Sequence, residues 1–273
     1  MNSKHLAKNI RKNAIRMVHS ARASHIGGVF SCADIVAVLY ADVVNVDPLQ
    51  PDKMERDRVV LSKGHNGVVL YAVLAEMGFF PVEELETYGR NGSKFSCHVS
   101  HKGVPGVEIS TGSLGQGVCM ACGMATNAKL KNENYKVYAI VGDGECNEGS
   151  VWETAMFAAQ YKLDNFIIVV DCNGMQALGN CDEIINMNSF ADKWKAFNWY
   201  VEEVDGHNHA ELLRAFVSNS EGKPKVILAK TIKGKGVSFM ENQLIWHYRD
   251  PQGVDYELAM KELETNDEKS SDK

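Results

Sequence analysis

The 273-residue chain lacks any run of about 18 apolar residues, the length that would suggest a membrane span. No signal-peptide core follows its N-terminus, where Lys4, Lys8, Arg11 and Lys12 interrupt the apolar positions. Concentrated positive charge is also missing. The net charge is −6 and the basic residues are scattered, which argues against a nucleic-acid footprint. No G-x-G-x-x-G follows the first strand, so a nicotinamide-binding domain is disfavoured. There is no internal repeat and no linker between domains. A disulfide framework is not expected, because the seven cysteines are odd in number and several (Cys32, Cys119, Cys122, Cys172) lie in apolar or helical surroundings. Reduced core thiols in a cytoplasmic protein are the natural reading. Cys119 and Cys122 match C-x-x-C, but no second pair of ligands stands nearby, and close packing of small residues accounts for them.

What the chain does have is alternation. It is long enough for one large α/β domain with a full core. Leu6, Ile10, Ala14, Met17 and Val18 recur with a helical period. Ser31 followed by Asp34 reads as a helix start. Short apolar runs at 59–61, 136–141, 166–170, 199–204 and 225–230 read as strands, with helices over 67–77, 114–130, 148–161, 209–218 and 256–263. The pattern predicts a doubly wound, mainly parallel sheet with helices on both faces. Residues 1–265 form one domain, and 266–273 are expected to be a disordered polar tail. Two long polar loops, 90–113 and 232–248, are candidates for function.

The candidate site lies where two of these strands end. Gly142-Asp143-Gly144 closes one and Asn173-Gly174-Met175 follows the other. Neighbouring parallel strands would bring Asp143 and Asn173 to one carboxyl edge, where open α/β sheets bind ligands. A carboxylate, an amide oxygen and the Met175 carbonyl make a hard, incomplete oxygen set. Such a set suits Mg²⁺, or Ca²⁺ or Mn²⁺, with sites left for a diphosphate. The glycines allow close backbone approach to a phosphate.

These residues resemble the GDG…N signature of thiamine-diphosphate enzymes. Further blocks narrow the resemblance: Ser24-His25-Ile26-Gly27-Gly28, Leu61-Ser62-Lys63-Gly64-His65, Pro105 to Gly117, and Thr231-Ile232-Lys233-Gly234-Lys235-Gly236 followed by His247. Over roughly residues 5 to 265 the chain is similar to the diphosphate-binding half of a transketolase. The resemblance implies thiamine diphosphate and a divalent metal, with ketol transfer between sugars or sugar phosphates. It implies that His65 and His247 face the diphosphate and that His25 lies near the thiazolium and the substrate. Gly112, Ser113 and Leu114 would meet the pyrimidine ring. Gly142, Asp143, Gly144 and Asn173 would hold the diphosphate and metal, and Glu148 would stand near the cofactor at a subunit contact. The family also carries a histidine shortly before Pro105. His98 fits that spacing better than His101, and neither is followed by proline.

A pyrimidine-binding domain, which the family uses to activate the cofactor, has no candidate segment here. The expectation is one subunit of a split enzyme, completed by a C-terminal, pyrimidine-domain partner as an α2β2 assembly. Other readings are the α subunit of a 2-oxo acid dehydrogenase, a transferase for a specialised sugar, and a non-catalytic paralogue. His25, His65, His247 and the block from Ser110 to Gly117 speak against the dehydrogenase. The presence of Asp143, Asn173 and His65 speaks against the non-catalytic reading.

Overall fold

The computed structural model describes residues 2–265, so the expected tail at 266–273 lies outside the described residues. Five strands, β1 (Arg58–Leu61), β2 (Val137–Gly142), β3 (Phe166–Cys172), β4 (Tyr200–Asp205) and β5 (Lys225–Lys230), form one sheet. Its order is β1-β2-β3-β5-β4 and every pairing is parallel. The strands alternate between two separate cores. Tyr138, Ile140, Ile167, Val169 and Ile227 face one, whereas Val137, Ala139, Val141, Ile168 and Val226 face the other. Burial on both faces explains why the sequence shows unbroken apolar runs here.

Helices α1 (Ser3–Ala21), α2 (Ile26–Val38), α3 (Gly67–Glu76), α8 (His209–Val217) and α9 (Val254–Thr265) belong to the first face. Helices α4 (Gln116–Lys131), α5 (Gly149–Gln160) and α7 (Phe190–Ala196) belong to the second. A single turn, α6 (Cys181–Ile184), lies between β3 and α7. The doubly wound architecture is therefore present, with helices on both faces.

One local expectation is corrected. Helix α2 starts at Ile26, not Ser31, despite its two glycines. Ser31 sits mid-helix and bonds the Gly28 carbonyl and Asp171, while Asp34 pairs with Arg11. Tertiary partners thus took the residues that looked like caps. With the π-helical turn Leu39–Val43, this helix becomes an 18-residue stretch, Ile26–Val43, long and apolar enough to cross a membrane. It is 83% buried inside the fold, as the core helix of a globular domain would be.

Helix α7 is a further addition. Its Trp194 is fully buried and packs against Trp152 and Trp199, with ring centroids 5.0 Å away in both cases. Trp194→Ala should cost about 3–5 kcal/mol, the usual range for deleting a buried large aromatic. Urea unfolding measures it, and a loss below about 1 kcal/mol would show that α7 is not part of the cooperative core.

Candidate functional site

The sheet register puts Gly142 beside Asp171, so Asp143 and Asn173 emerge side by side at the carboxyl edge. A cavity of about 310 Å³ opens there. His25, His65, His98 and His247 line it with Lys63, Gly112, Leu114, Asp143, Asn173, Met175 and Lys233. Four segments distant in sequence supply the imidazoles. The His25 ring lies 5.1 Å from His65, 6.0 Å from His98 and 5.0 Å from His247, centroid to centroid. His25 adopts a left-handed conformation, φ 75°, and its N–H donates to the His247 carbonyl at 2.8 Å. A non-glycine residue there is uncommon, and strain of this kind gathers at functional sites.

His101 stands outside this group, exposed, with Nδ1 2.8 Å from Ser110 Oγ. Ser113 and Glu148 are exposed and do not line the cavity. Glu148 precedes α5, and a side chain at Gly115 would collide with it. Gly64 is required by packing, since a Cβ there would stand 2.3 Å from the Thr111 carbonyl oxygen.

Asp143 accepts hydrogen bonds from the Gly144 N–H at 2.8 Å and the Gly174 N–H at 2.7 Å. Burial, then the nearby Asp171, pushes its pKa up to about 6. Asn173 Oδ1 accepts from the Met175 N–H, and Asn173 Nδ2 donates to Asp171. Among the described residues no three His, Cys, Asp or Glu side chains converge to hold a metal. The available set is one carboxylate with amide and carbonyl oxygens, hard donors suited to Mg²⁺. A buried carboxylate disfavoured in its charged form gains most from a divalent cation.

Sequence reasoning gives no role to Lys233, Lys63, Asp171 or Glu145. Lys233 Nζ has neutral partners: the Met175 carbonyl at 3.3 Å, the Gln176 carbonyl at 3.4 Å and His247 Nδ1 at 3.2 Å. Burial, then Lys63, lowers its pKa to about 8. A buried ammonium on neutral partners is a ready contact for an anion such as a diphosphate. Asp171, fully buried, pairs with Lys63 and also bonds Ser31 and Thr231. Glu145 accepts from Ser62 Oγ at 2.5 Å, the Gly115 N–H at 2.9 Å and the Gly142 N–H at 3.1 Å, joining three cavity walls. The only sequence signal for Lys233 is its place in the Thr231–Gly236 block.

Residues 2–257 match the transketolase, thiamine diphosphate binding domain family. One of the subunits of apulose-4-phosphate transketolase from Phocaeicola vulgatus is 41% identical over 261 residues, covering 95% of this chain and 92% of that protein. The 6-deoxy-6-sulfo-D-fructose transketolase subunit of a Clostridium species is 42% identical, with 95% of each chain covered. The crystal structure of transketolase from Campylobacter jejuni superposes with a TM-score of 0.91 and 31% identity, over 97% of this chain and 43% of that one. The chain belongs to the transketolase thiamine-diphosphate-binding family and corresponds to a transferase subunit of that type.

The site makes stability depend on pH. Burial comes first in depressing all three affected histidines. With His98 and Lys233 it takes His25 to about 4, with Lys63 it takes His65 to about 2, and with Lys233 it takes His247 to about 4. The folded chain holds these rings neutral, whereas an unfolded chain protonates them below the ordinary 6.5. Their contribution is complete above 6.5 and is lost as pH falls toward 4. Asp143, with its raised pKa, acts in the opposite sense between about 6 and 3.8. Glu145, whose pKa burial raises, acts with Asp143. Three groups against two predict a falling urea midpoint from pH 7 to 4.5 and a flatter limb in His25→Ala/His247→Ala. An identical limb in that double variant would remove the histidines from the account.

Proposed function

We propose that this chain is the cofactor-binding subunit of a two-chain transketolase, moving a two-carbon ketol unit from a ketose to an aldose. The observation that carries this is the meeting of Asp143, Asn173, the Met175 carbonyl, Lys233 and four histidines in one cavity. Asp143, Asn173 and the Met175 carbonyl would hold Mg²⁺. Lys233, His65 and His247 would face the diphosphate, and Gly112 with Leu114 the pyrimidine ring. Thiamine diphosphate, when bound, supplies an electron sink for carbon–carbon cleavage. His25 and His247 are neutral near pH 7. His247 Nδ1 accepts from the Lys233 ammonium, so its Nε2–H is the group left for a substrate oxygen, and His25, whose Nδ1 pairs with Ser24 Oγ, likewise presents Nε2. His98 completes the wall on the substrate side.

Two relatives named as transketolase subunits, each covered over more than nine-tenths of its length, support the two-chain reading. The substrates in their names, a ketose phosphate and a sulfonated ketose, favour a ketose with a terminal acid group. The partner would bring the pyrimidine domain. Met120 on α4 and Met156, Phe157 and Tyr161 at α5 expose apolar side chains on two helices that pack against each other, which suits a covered face. A closed two-fold α2β2 assembly follows from symmetry. The seven free thiols suit a reducing, cytoplasmic setting.

In the assembled complex, Asp143→Ala should abolish Mg²⁺-dependent binding of thiamine diphosphate by calorimetry; unchanged affinity would sink the metal assignment. His98→Ala should lower turnover more than His101→Ala, and the reverse order would reassign the loop. The purified single chain should give no ketol transfer with any sugar pair, and sedimentation with the partner should show a four-chain species.

A further inference from the structure

The turn between β4 and α8 reaches the active-site loop from outside the cavity. Gly206 lies so close to the end of β5 that a Cβ there would stand 2.4 Å from Thr231 Cγ2, and its N–H donates to the Lys230 carbonyl at 2.8 Å. This close approach delivers His207 to the next residue of that loop. The Ile232 N–H donates to His207 Nε2 at 2.9 Å. A ring nitrogen that accepts cannot carry a proton, so the hydrogen sits on Nδ1. Nδ1 then donates to Asp34 Oδ2 at 2.7 Å. Asp34 is itself fixed: Arg11 grips both of its oxygens, at 3.1 and 2.6 Å, and His209 Nε2 lies 3.1 Å from Oδ1. Burial alone would raise the Asp34 pKa, but Arg11, His207 and His209 together hold it well below the usual carboxylate range.

We infer that His207 is a positioning residue for Lys233: its neutral ring, clamped on Asp34, fixes the Ile232 backbone and so fixes where the Lys233 ammonium enters the cavity. The inference rests on the reading of that cavity as a thiamine-diphosphate site. The loop is pinned one residue at a time. Thr231 Oγ1 bonds Asp171, the Ile232 N–H bonds His207, and the Gly234 N–H donates to the Gly27 carbonyl at 2.9 Å. Between the last two anchors the Lys233 side chain runs across Gly27. Loss of the middle anchor frees the peptide between Thr231 and Ile232, leaving the turn closed by the Lys235 N–H on the Ile232 carbonyl to tilt as a unit, and the ammonium loses its aim. His209 cannot substitute, because its other nitrogen is turned to Ser3.

Nitrogen-15 NMR of the unmodified chain at pH 7.5 should show His207 as the neutral Nδ1–H tautomer, with slow hydrogen exchange at the Ile232 amide. In the complex with its partner and Mg²⁺, His207→Phe should weaken thiamine diphosphate binding by about tenfold or more, the scale on which outer hydrogen bonds tune a bound group. The KM for hydroxypyruvate at saturating cofactor should stay within about twofold, and His207→Gln, with an amide oxygen near the Nε2 position, should recover most of the loss. In a Lys233→Met background, His207→Phe should add no more than about twofold, because both changes remove one effect. An Nε2–H tautomer, a protonated ring, unchanged cofactor affinity in His207→Phe, or fully additive losses would each overturn the inference. If His207→Phe does not fold, the tautomer and His207→Gln decide. If the unmodified complex binds no thiamine diphosphate, the functional reading falls, and the tautomer and Ile232 exchange still test whether His207 holds the loop.

Discussion

The carboxyl edge of this sheet is organised around one buried ion pair, Lys63 with Asp171. Both side chains are sealed from solvent, and each would be costly to bury alone. Asp171 closes β3, Lys63 follows β1, Ser31 comes from α2 and Thr231 from the end of β5, and all meet on one carboxylate. Asn173 joins through its amide. Such a pair contributes little net stability, since desolvation offsets much of the attraction. Its physical effect is placement. Four segments cannot slide independently when each must keep a hydrogen bond to the same two oxygens.

The cavity above that pair carries its charges unevenly. The Lys233 ammonium lies close to a ring that burial keeps neutral, and the Asp143 carboxylate leans on the backbone N–H groups of Gly144 and Gly174. Each group is held short of full compensation by the protein itself. The proposed ligand, a dication with a diphosphate, would complete both deficits together. The site is therefore preorganised in geometry and incomplete in charge, the arrangement expected where binding must be tight and the bound group must not be mimicked by water.

The sheet is largely legible in the sequence because a parallel sheet buried on both faces writes itself as short apolar runs, and Asp143 and Asn173 can be read as strand-end residues. The start of helix α2 is not legible, since Gly27 and Gly28 look like loop residues and Ser31 with Asp34 looks like a cap. Their true partners, Asp171 and Arg11, lie far along the chain or outside the local pattern, which carries no trace of them. Lys63 and Asp171 are 108 positions apart, and their pairing is hidden for the same reason. Helix α7 escapes because seven residues with one buried tryptophan make too short a period to recognise. Turn chemistry explains Asp205 and Asn208 but not His207, a ring whose partners come from α2 and the loop after β5.

Helix α2 has every residue from Ile26 to Val38 buried, and its first turn forms the cavity floor beside His25. A helix without a solvent face has almost no neutral substitutions, because any change in volume is felt by neighbours on all sides. The tolerance of this scaffold to substitution must then lie elsewhere. Changes in ligand preference would fall to the loops that rim the cavity, where a change in volume meets solvent rather than packed neighbours. The same burial that stabilises the domain thus separates the part of the site that tolerates no change in volume from the part that can absorb one.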